Sequence, residues 1–423
     1  MGHHSVAEHA VFNFDIIGVS RLALEEIEQF RLVSYTEKSQ RYVTLKGDYV
    51  LPPEIKDSES QKLFKCTVTL QNDFYNRTFN VLNEFVFNKY PHMTGTHADR
   101  KTLNGWAKED ARYILSLATE GQVGMTINAR NLEHLFRRFH LSPRAEVREI
   151  GAMMHEQVAQ IAPSIFLFAQ PSQFSQDLAH SFKDNFSPTP IDEKQPRLNL
   201  QLIHCTKNSD DIILASFLSA FHSLDYTRAL DVIKNMGLHE KEKIYRDLFK
   251  NIEFFDAVPR EFEMVEVAFQ AVISASNFAQ LKRHRMATLL PGNYDIQFGC
   301  IIPENIKITG LEKEFLEIID NTNKVYLKLK ETYGDAADYI LTNSHCRKVM
   351  MKMNLREVYH FIRLRDDEHA QWEIRHLAHR LLQEIKPFMP LATMLLCGKS
   401  DFVNEFERIY HKKPKIIIAP GNE

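Results

Sequence analysis

The chain has 423 residues, 44% of them hydrophobic and 25% charged, with a formal net charge of −3. That length admits two or three domains, and the balance is that of an ordinary globular protein rather than a disordered or fibrous one. It gives no reason to expect a general electrostatic grip on nucleic acid, while leaving local basic clusters open, and no run approaches the roughly 18 uninterrupted apolar residues of a membrane span.

In chain order, Met1-Gly2-His3-His4 and the polar residues after it do not have the pattern of a secretory leader. The stretch 10–17 reads as extended, and Leu22, Ile27 and Phe30 space the apolar face of a helix. A second extended stretch covers 121–127, followed by a helical pattern at Leu132, Leu135 and Phe136. Residues 170–207 are rich in Ser, Pro, Asn, Asp and Gln and read as a linker. A helical lead-in, 212–255, precedes extended stretches at 268–274 and 348–353. Ala370, Trp372, Ile374, Leu377, Leu381, Ile385 and Phe388 then mark a long amphipathic helix that stops at Pro390, and 414–418 reads as an extended tail. Strands and helices without regular βαβ alternation imply an α+β fold. Cys66, Cys205, Cys300, Cys346 and Cys397 show no CxxC pair. That usage fits reduced thiols in a cytoplasmic setting rather than a disulfide framework or a zinc site.

The chain repeats itself. Asp110-Ala111-Arg112-Tyr113-Ile114-Leu115 returns as Ala336-Ala337-Asp338-Tyr339-Ile340-Leu341, and Asn128-Ala129-Arg130-Asn131-Leu132-Glu133-His134 returns as Asn354-Leu355-Arg356-Glu357-Val358-Tyr359-His360. Both pairs keep one offset, the signature of a duplicated domain rather than of a short solenoid unit. The expected organisation is a first domain over 1–169, a linker over 170–207, a second domain over 208–396 and a tail over 397–423. The first copy lacks the helical lead-in of the second, which leaves a lost segment or a truncated start equally open.

Three clusters carry chemistry. Arg31 to Tyr42 packs Ser34, Thr36, Glu37, Lys38, Ser39, Gln40 and Arg41 together. Arginine forks and short hydroxyls suit a phosphate, although a solvated loop has the same composition. Gln280 through Arg283, His284 and Arg285 could grip a polyanion, but a surface basic run is the common alternative. Asn354, Arg356, His360, Arg363, Arg365 and His369 form the third; residues 356, 360 and 363 share one helical face. No paired carboxylate or HExxH spacing supports a metal there.

Arg283-His284-Arg285 resembles the RHR of the flavin-dependent thymidylate synthases. Ser34 through Tyr42 resembles the second half of the same signature, RHRxxSxNExSxRY. Gly2-His3-His4-Ser5-Val6-Ala7-Glu8-His9 and His369-Ala370-Gln371-Trp372-Glu373-Ile374-Arg375 are also similar to family segments. The resemblance spans nearly the whole chain as two consecutive domains of that family, each a mixed sheet with long helices. Each copy departs from the pattern in a different place. In the first, RHR has become Gln29-Phe30-Arg31; in the second, Met286 to Tyr294 has lost the serines, glutamate and arginine. Asp338 stands opposite Arg112, and Thr36 replaces the family asparagine.

The resemblance implies complementary halves. Gln280 and Arg283 of the second copy, with Glu37, Lys38, Ser39, Gln40, Arg41 and Arg112 of the first, would bind dUMP. Arg283, His284, Arg285, Asn354, Arg356, His360 and His369, with Ser5 and Glu37, would hold FAD. His3 would stack on folate or nicotinamide, and Arg365 would be catalytic, polarising the uracil ring. The implied reaction is reductive methylation of dUMP to dTMP with methylenetetrahydrofolate and NADPH. Methylation of another pyrimidine nucleotide and a non-catalytic flavin- or nucleotide-binding relic are the competing readings. A tetrameric family implies a homodimer here, with no nucleic-acid or membrane partner.

Overall fold

The computed structural model describes residues 4–38, 47–166, 168–185 and 200–415. Two compact units emerge from the contacts. Unit one comprises Met1–Gln195, Ser274–Arg285 and Tyr294–Cys346; unit two comprises Pro196–Ile273, Met286–Asn293 and Arg347–Glu423.

β1 (Val11–Ser20) runs directly into α1 (Arg21–Ile27), because the Ser20 hydroxyl accepts the Ala23 N–H and so caps the first turn. β2 (Ser34–Glu37) follows. Asp57 caps α2 (Ser58–Lys89), and Thr96 caps α3 (His97–Ala111). β3 (Glu120–Asn128) ends on Asn128, whose side chain accepts the Asn131 N–H and starts α4 (Ala129–His140). α5 (Ala145–Ile161) and α6 (Gln173–Asn185) complete this part. Then come β4 (Gln201–Cys205), α7 (Ser209–His222), α8 (Tyr226–Lys234), α9 (Leu238–Phe249) and β5 (Glu266–Ser274). Ser274 caps α10 (Ala275–Leu281) as Ser20 caps α1. β6 (Thr288–Tyr294), α11 (Glu304–Ile308), α12 (Glu312–Tyr333) and β7 (Cys346–Asn354) lead to a second asparagine cap, Asn354, which opens α13 (Leu355–Arg365). α14 (Trp372–Ile385) and α15 (Phe402–Tyr410) close the described chain. The strand–serine–helix and strand–asparagine–helix turns thus each occur twice.

In unit one the sheet order is β1-β3-β2, both pairings antiparallel, with Val11 opposite Asn128 and Ser34 opposite Thr126. Gly18, at φ 71°, lies in the register shift between Ile17 and Val19, where a side chain on an L residue would be strained. Ile16, Leu24, Ile27, Met125, Leu132 and Phe136 lie in one core of this unit. A second core joins α2 to α12 through Phe64, Val68, Val325 and Leu329, with Tyr339 and Leu341 between. There the two repeated segments meet backbone to backbone. Leu117 N–H donates to Leu341 O at 2.7 Å, Ala118 N–H to Tyr339 O at 2.9 Å, and Asn343 N–H to Leu115 O at 2.9 Å.

In unit two the sheet order is β4-β5-β7-β6. Phe249, Phe262 and Tyr359 pack ring against ring, with centroids 5.8–6.3 Å apart.

The four extended stretches expected from sequence coincide with β1, β3, β5 and β7. Other expectations shift. Phe30 lies beyond α1 and instead packs edge-on against Phe139, at 6.2 Å. The stretch 170–207 holds α6 and β4, the latter paired with β5, so its polar composition marks exposed elements as well as connection. The long C-terminal helix stops at Ile385 and tightens into a 3₁₀ turn over Lys386–Phe388, because Pro387 has no N–H to continue it. The region 397–423 carries α15, anchored by buried Phe402, Phe406 and Ile409; residues 416–423 lie outside the described residues. No described helix is long and apolar enough to cross a membrane.

Candidate active site

Unit one draws a charged cluster together from β2, the end of α1 and the end of α10. Arg283, whose side chain is 46% exposed, donates from Nη2 to Glu37 Oε2 at 3.1 Å. Behind it, Lys282 is buried, with Nζ 3.0 Å from Glu28 Oε2 and 3.9 Å from Glu37 Oε2. Burial pushes the Glu37 carboxyl up, but Lys282, Arg21 and Arg283 together outweigh it and hold the group at about 2. Burial wins at Glu28, which is raised despite Lys282. Arg21 donates from Nε to Asn343 Oδ1 at 2.6 Å and from Nη2 to Ala275 O at 2.7 Å. This locks α1 against the start of α10.

The buried Arg112 donates from Nη2 to the Ser276 hydroxyl at 3.0 Å, so it too reaches α10, the helix that carries the buried Gln280. Lys38 is exposed, and its backbone N–H donates to Gln122 O at 3.1 Å. His284 is buried, and Arg285 is half-buried. Ser5 is exposed on a 3₁₀ turn, His4–His9. Ser39, Gln40, Arg41 and His3 lie outside the described residues.

The counterpart positions within the same unit are built differently. Glu26 stands as far past the Ser20 cap as Gln280 stands past Ser274. Asp338 replaces Arg112 in the repeat. Arg144 fills the gap between these two acids, with an ion pair to Glu26 and another to Asp338 Oδ2 at 2.8 Å. Burial lowers the Arg144 affinity for its proton, and the two carboxylates more than reverse this.

In unit two, α13 turns Arg356, His360 and Arg363 onto a cavity of about 310 Å³ that also meets Phe254, Phe255 and Lys399. Arg356 is oriented by Val258 O at 2.8 Å and Glu263 Oε1 at 3.0 Å. Asn354 uses its side chain as the cap of α13. Arg365 ends that helix, half-buried. His369 is exposed and sits on Asp367, Nδ1 to Oδ1 at 3.1 Å. The repeat-equivalent positions of unit one, Arg130, His134 and Arg137, also border a cavity, about 600 Å³, together with Glu133 and Phe168. There Arg130 pairs with Glu8 and Arg137 with Glu133. Among the described residues no three metal-ligating side chains converge.

The sequence pairs Glu37 with Arg283 only through a family pattern. Lys282 and Glu28 go unnoticed in it, since an acid and a base 254 positions apart carry no local signal. Their matching distance from the two serine caps was the available clue.

An α+β protein with two repeated strand–cap–helix turns and a buried acid–guanidinium cluster at their meeting point defines the class. The family described as thymidylate synthase complementing protein matches residues 1–164 and 201–391, and the chain belongs to it. A UPF0159 protein of Thermoplasma acidophilum is 27% identical over 92% of this chain and 85% of its own length. A flavin-dependent thymidylate synthase of Clostridium tetani is 33% identical over 40% of this chain and 67% of its own. A solved structure of a UMP/dUMP methylase from Streptomyces cacaoi shares 14% identity over 46% of this chain and 92% of that one, at a TM-score of 0.38, too slight a likeness to carry an argument.

Proposed function

We propose that this protein is a flavin-dependent thymidylate synthase that reductively methylates dUMP to dTMP, with methylenetetrahydrofolate as carbon donor and NADPH as reductant. The observation that carries the reading is the 3.1 Å pairing of Glu37 with Arg283. It joins the nucleotide-side residue kept by one repeat to the RHR kept by the other. Glu37, Lys38, Ser39, Gln40, Arg41, Arg112, Gln280 and Arg283 are assigned to the nucleotide. An exposed guanidinium steadied by a carboxylate is suited to a phosphate that takes over the contact.

Bound FAD would carry the hydride. The residues fit it: the unit-two cavity offers the cations Arg356 and Lys399 to a pyrophosphate, and Phe254 and Phe255 to a ring system. Arg283, His284, Arg285, Asn354, Arg356, His360, His369, Ser5 and Glu37 are assigned to it by the family resemblance, within one chain or across a homodimer, and His3 to the folate or nicotinamide. Arg365 is the residue assigned to stabilise negative charge developing on the uracil ring. Two of the five cysteines, Cys397 and Cys205, are poor nucleophiles. Burial pushes the Cys397 thiol up to about 12 and raises Cys205 as well, whereas attack needs a thiolate. Five cysteines without a CxxC pair support a reducing, cytoplasmic setting for this reaction.

Arg365→Ala is expected to abolish dTMP formation while leaving the circular-dichroism spectrum and melting temperature intact. Serine at all five cysteines is expected to leave turnover. Near-normal dTMP formation by Arg365→Ala would overturn the assignment. Thr36, exposed on β2 where the family has asparagine, favours a second reading, methylation of another pyrimidine nucleotide. Comparing dUMP, UMP and dCMP as substrates decides between the two.

A further inference from the structure

Lys282 is a lysine with a side chain only 1% exposed, a placement that proteins tolerate when the charge is paired. Its Nζ has three oxygens around it: Glu28 Oε2 at 3.0 Å, Leu24 O at 3.4 Å and Glu37 Oε2 at 3.9 Å. The Glu37 oxygen on its far side is the one that Arg283 holds at 3.1 Å. One carboxylate oxygen therefore lies between a sealed cation and a half-exposed one. Only the exposed cation can swing toward a ligand without leaving a buried hole.

The partner of Lys282 is its own counterpart in the repeat. Glu28 follows the Ser20 cap by the same number of residues as Lys282 follows Ser274. Two copies of either residue at this contact would set like charges together in a buried place. Glutamate on one side and lysine on the other make the contact attractive only between unlike repeats. The same pair brings the end of α10 to β2.

We infer that Lys282 is a positioning residue of the nucleotide site: it anchors the Glu37 carboxylate from behind, with Glu28 as its counter-ion, so that Arg283 can turn to the substrate without releasing Glu37. This rests on the reading above that Glu37 and Arg283 face the nucleotide. Burial and the neighbouring cations compete at Glu37, and the cations prevail. Lys282 is the first of those cations.

The test separates positioning from simple structural support. Lys282→Met alone strands the buried Glu28 carboxylate and can prevent folding, so the variant to use is Glu28→Met with Lys282→Met, which replaces both partners by apolar groups of similar length. In the flavin-loaded protein, calorimetric titration with dUMP should show binding weakened by about tenfold or more, at a melting temperature close to that of the unmodified chain. Lys282→Arg should restore most of the affinity. Unchanged dUMP affinity in the double variant overturns the inference. A second measurement needs no nucleotide. The change in melting temperature caused by Glu37→Gln is compared in the Glu28→Met background and in the double variant. A smaller loss once Lys282 is gone is the expected result, and equal losses overturn the coupling. If the unmodified protein fails to bind dUMP, the proposed function falls, and this second comparison still decides whether Lys282 holds Glu37.

Discussion

Arg144 lies where the counterparts of a guanidinium and an amide, Arg112 and Gln280, are both acids. With Glu26 on one side and Asp338 on the other, its charge is fully answered inside the protein, and its side chain is only 15% exposed. Removing one member of a buried ion group costs far more than the group contributes; without Arg144, among the described residues, Asp338 would keep only Lys330, 3.5 Å away, and Glu26 only the Ser142 hydroxyl, at 2.8 Å. Arg144→Met should therefore lower unfolding stability by about 3–5 kcal/mol in urea titration. Adding Glu26→Gln and Asp338→Asn should recover most of that loss, since the stranded carboxylates are then gone. A mild effect of Arg144→Met alone would show that water already screens the triad. The loss at position 338 was visible as a departure between the repeats, but the acid at position 26 and the contact that joins the two were not. Arg144 opens the first copy's altered counterpart of the His369–Arg375 segment, and only the fold brings it to Glu26 and Asp338.

Short elements with strong alternation were legible, and the longest helix was not. β1, β3, β5 and β7 stand where apolar alternation places them. α2 runs 32 residues, and its buried face includes Thr67, Gln71 and Thr78 among Phe64, Val68, Phe74 and Leu82. Polar residues on the inner face blur the periodicity that reveals a helix. Gln71 is accommodated because it donates from Nε2 to the Thr322 hydroxyl at 2.9 Å and to Ile340 O at 3.1 Å, partners supplied by a distant segment, and Thr67 donates within the helix to Leu63 O at 3.0 Å. Close backbone contact is equally silent in sequence. A Cβ built on Gly398 would fall 1.5 Å from the carbonyl oxygen of Asp366, the residue that ends α13 just after Arg365. Neither backbone can yield as a flexible side chain would. Gly398→Ala should cost about 3 kcal/mol or more in thermal or urea unfolding, and should lower turnover by displacing Arg365. Gly105 in α3 has nothing within 4 Å of its Cβ position, so Gly105→Ala should stabilise by about 0.5–1 kcal/mol. Equal outcomes at the two glycines would remove the contact argument.

The whole chain carries two copies of the segments to which the proposed function assigns a site, and the copies differ in charge. Within unit one, Arg283, Gln280 and Arg112 have as counterparts Gln29, Glu26 and Asp338, so one cation is answered by a neutral amide, and the amide and the other cation by carboxylates that would repel a phosphate. The counterpart position is also filled from inside by Arg144. An anionic ligand placed there would meet two carboxylates and would have to displace a guanidinium already paired on both sides, a loss that its own contacts could not offset. On the proposed function, a single nucleotide site per chain is the expectation, and one flavin beside it is the simplest complement. If the assembly is a homodimer, the commonest closed arrangement, it would carry two working sites. The measurement is the ratio of flavin released on denaturation to protein chains, read beside the number of dUMP sites from titration and the mass in sedimentation. One flavin and one dUMP per chain in a particle of two chains is the expected result. Two nucleotides bound per chain would mean that the Glu26–Arg144–Asp338 group opens to admit a ligand, and the division of labour between the repeats would then be wrong.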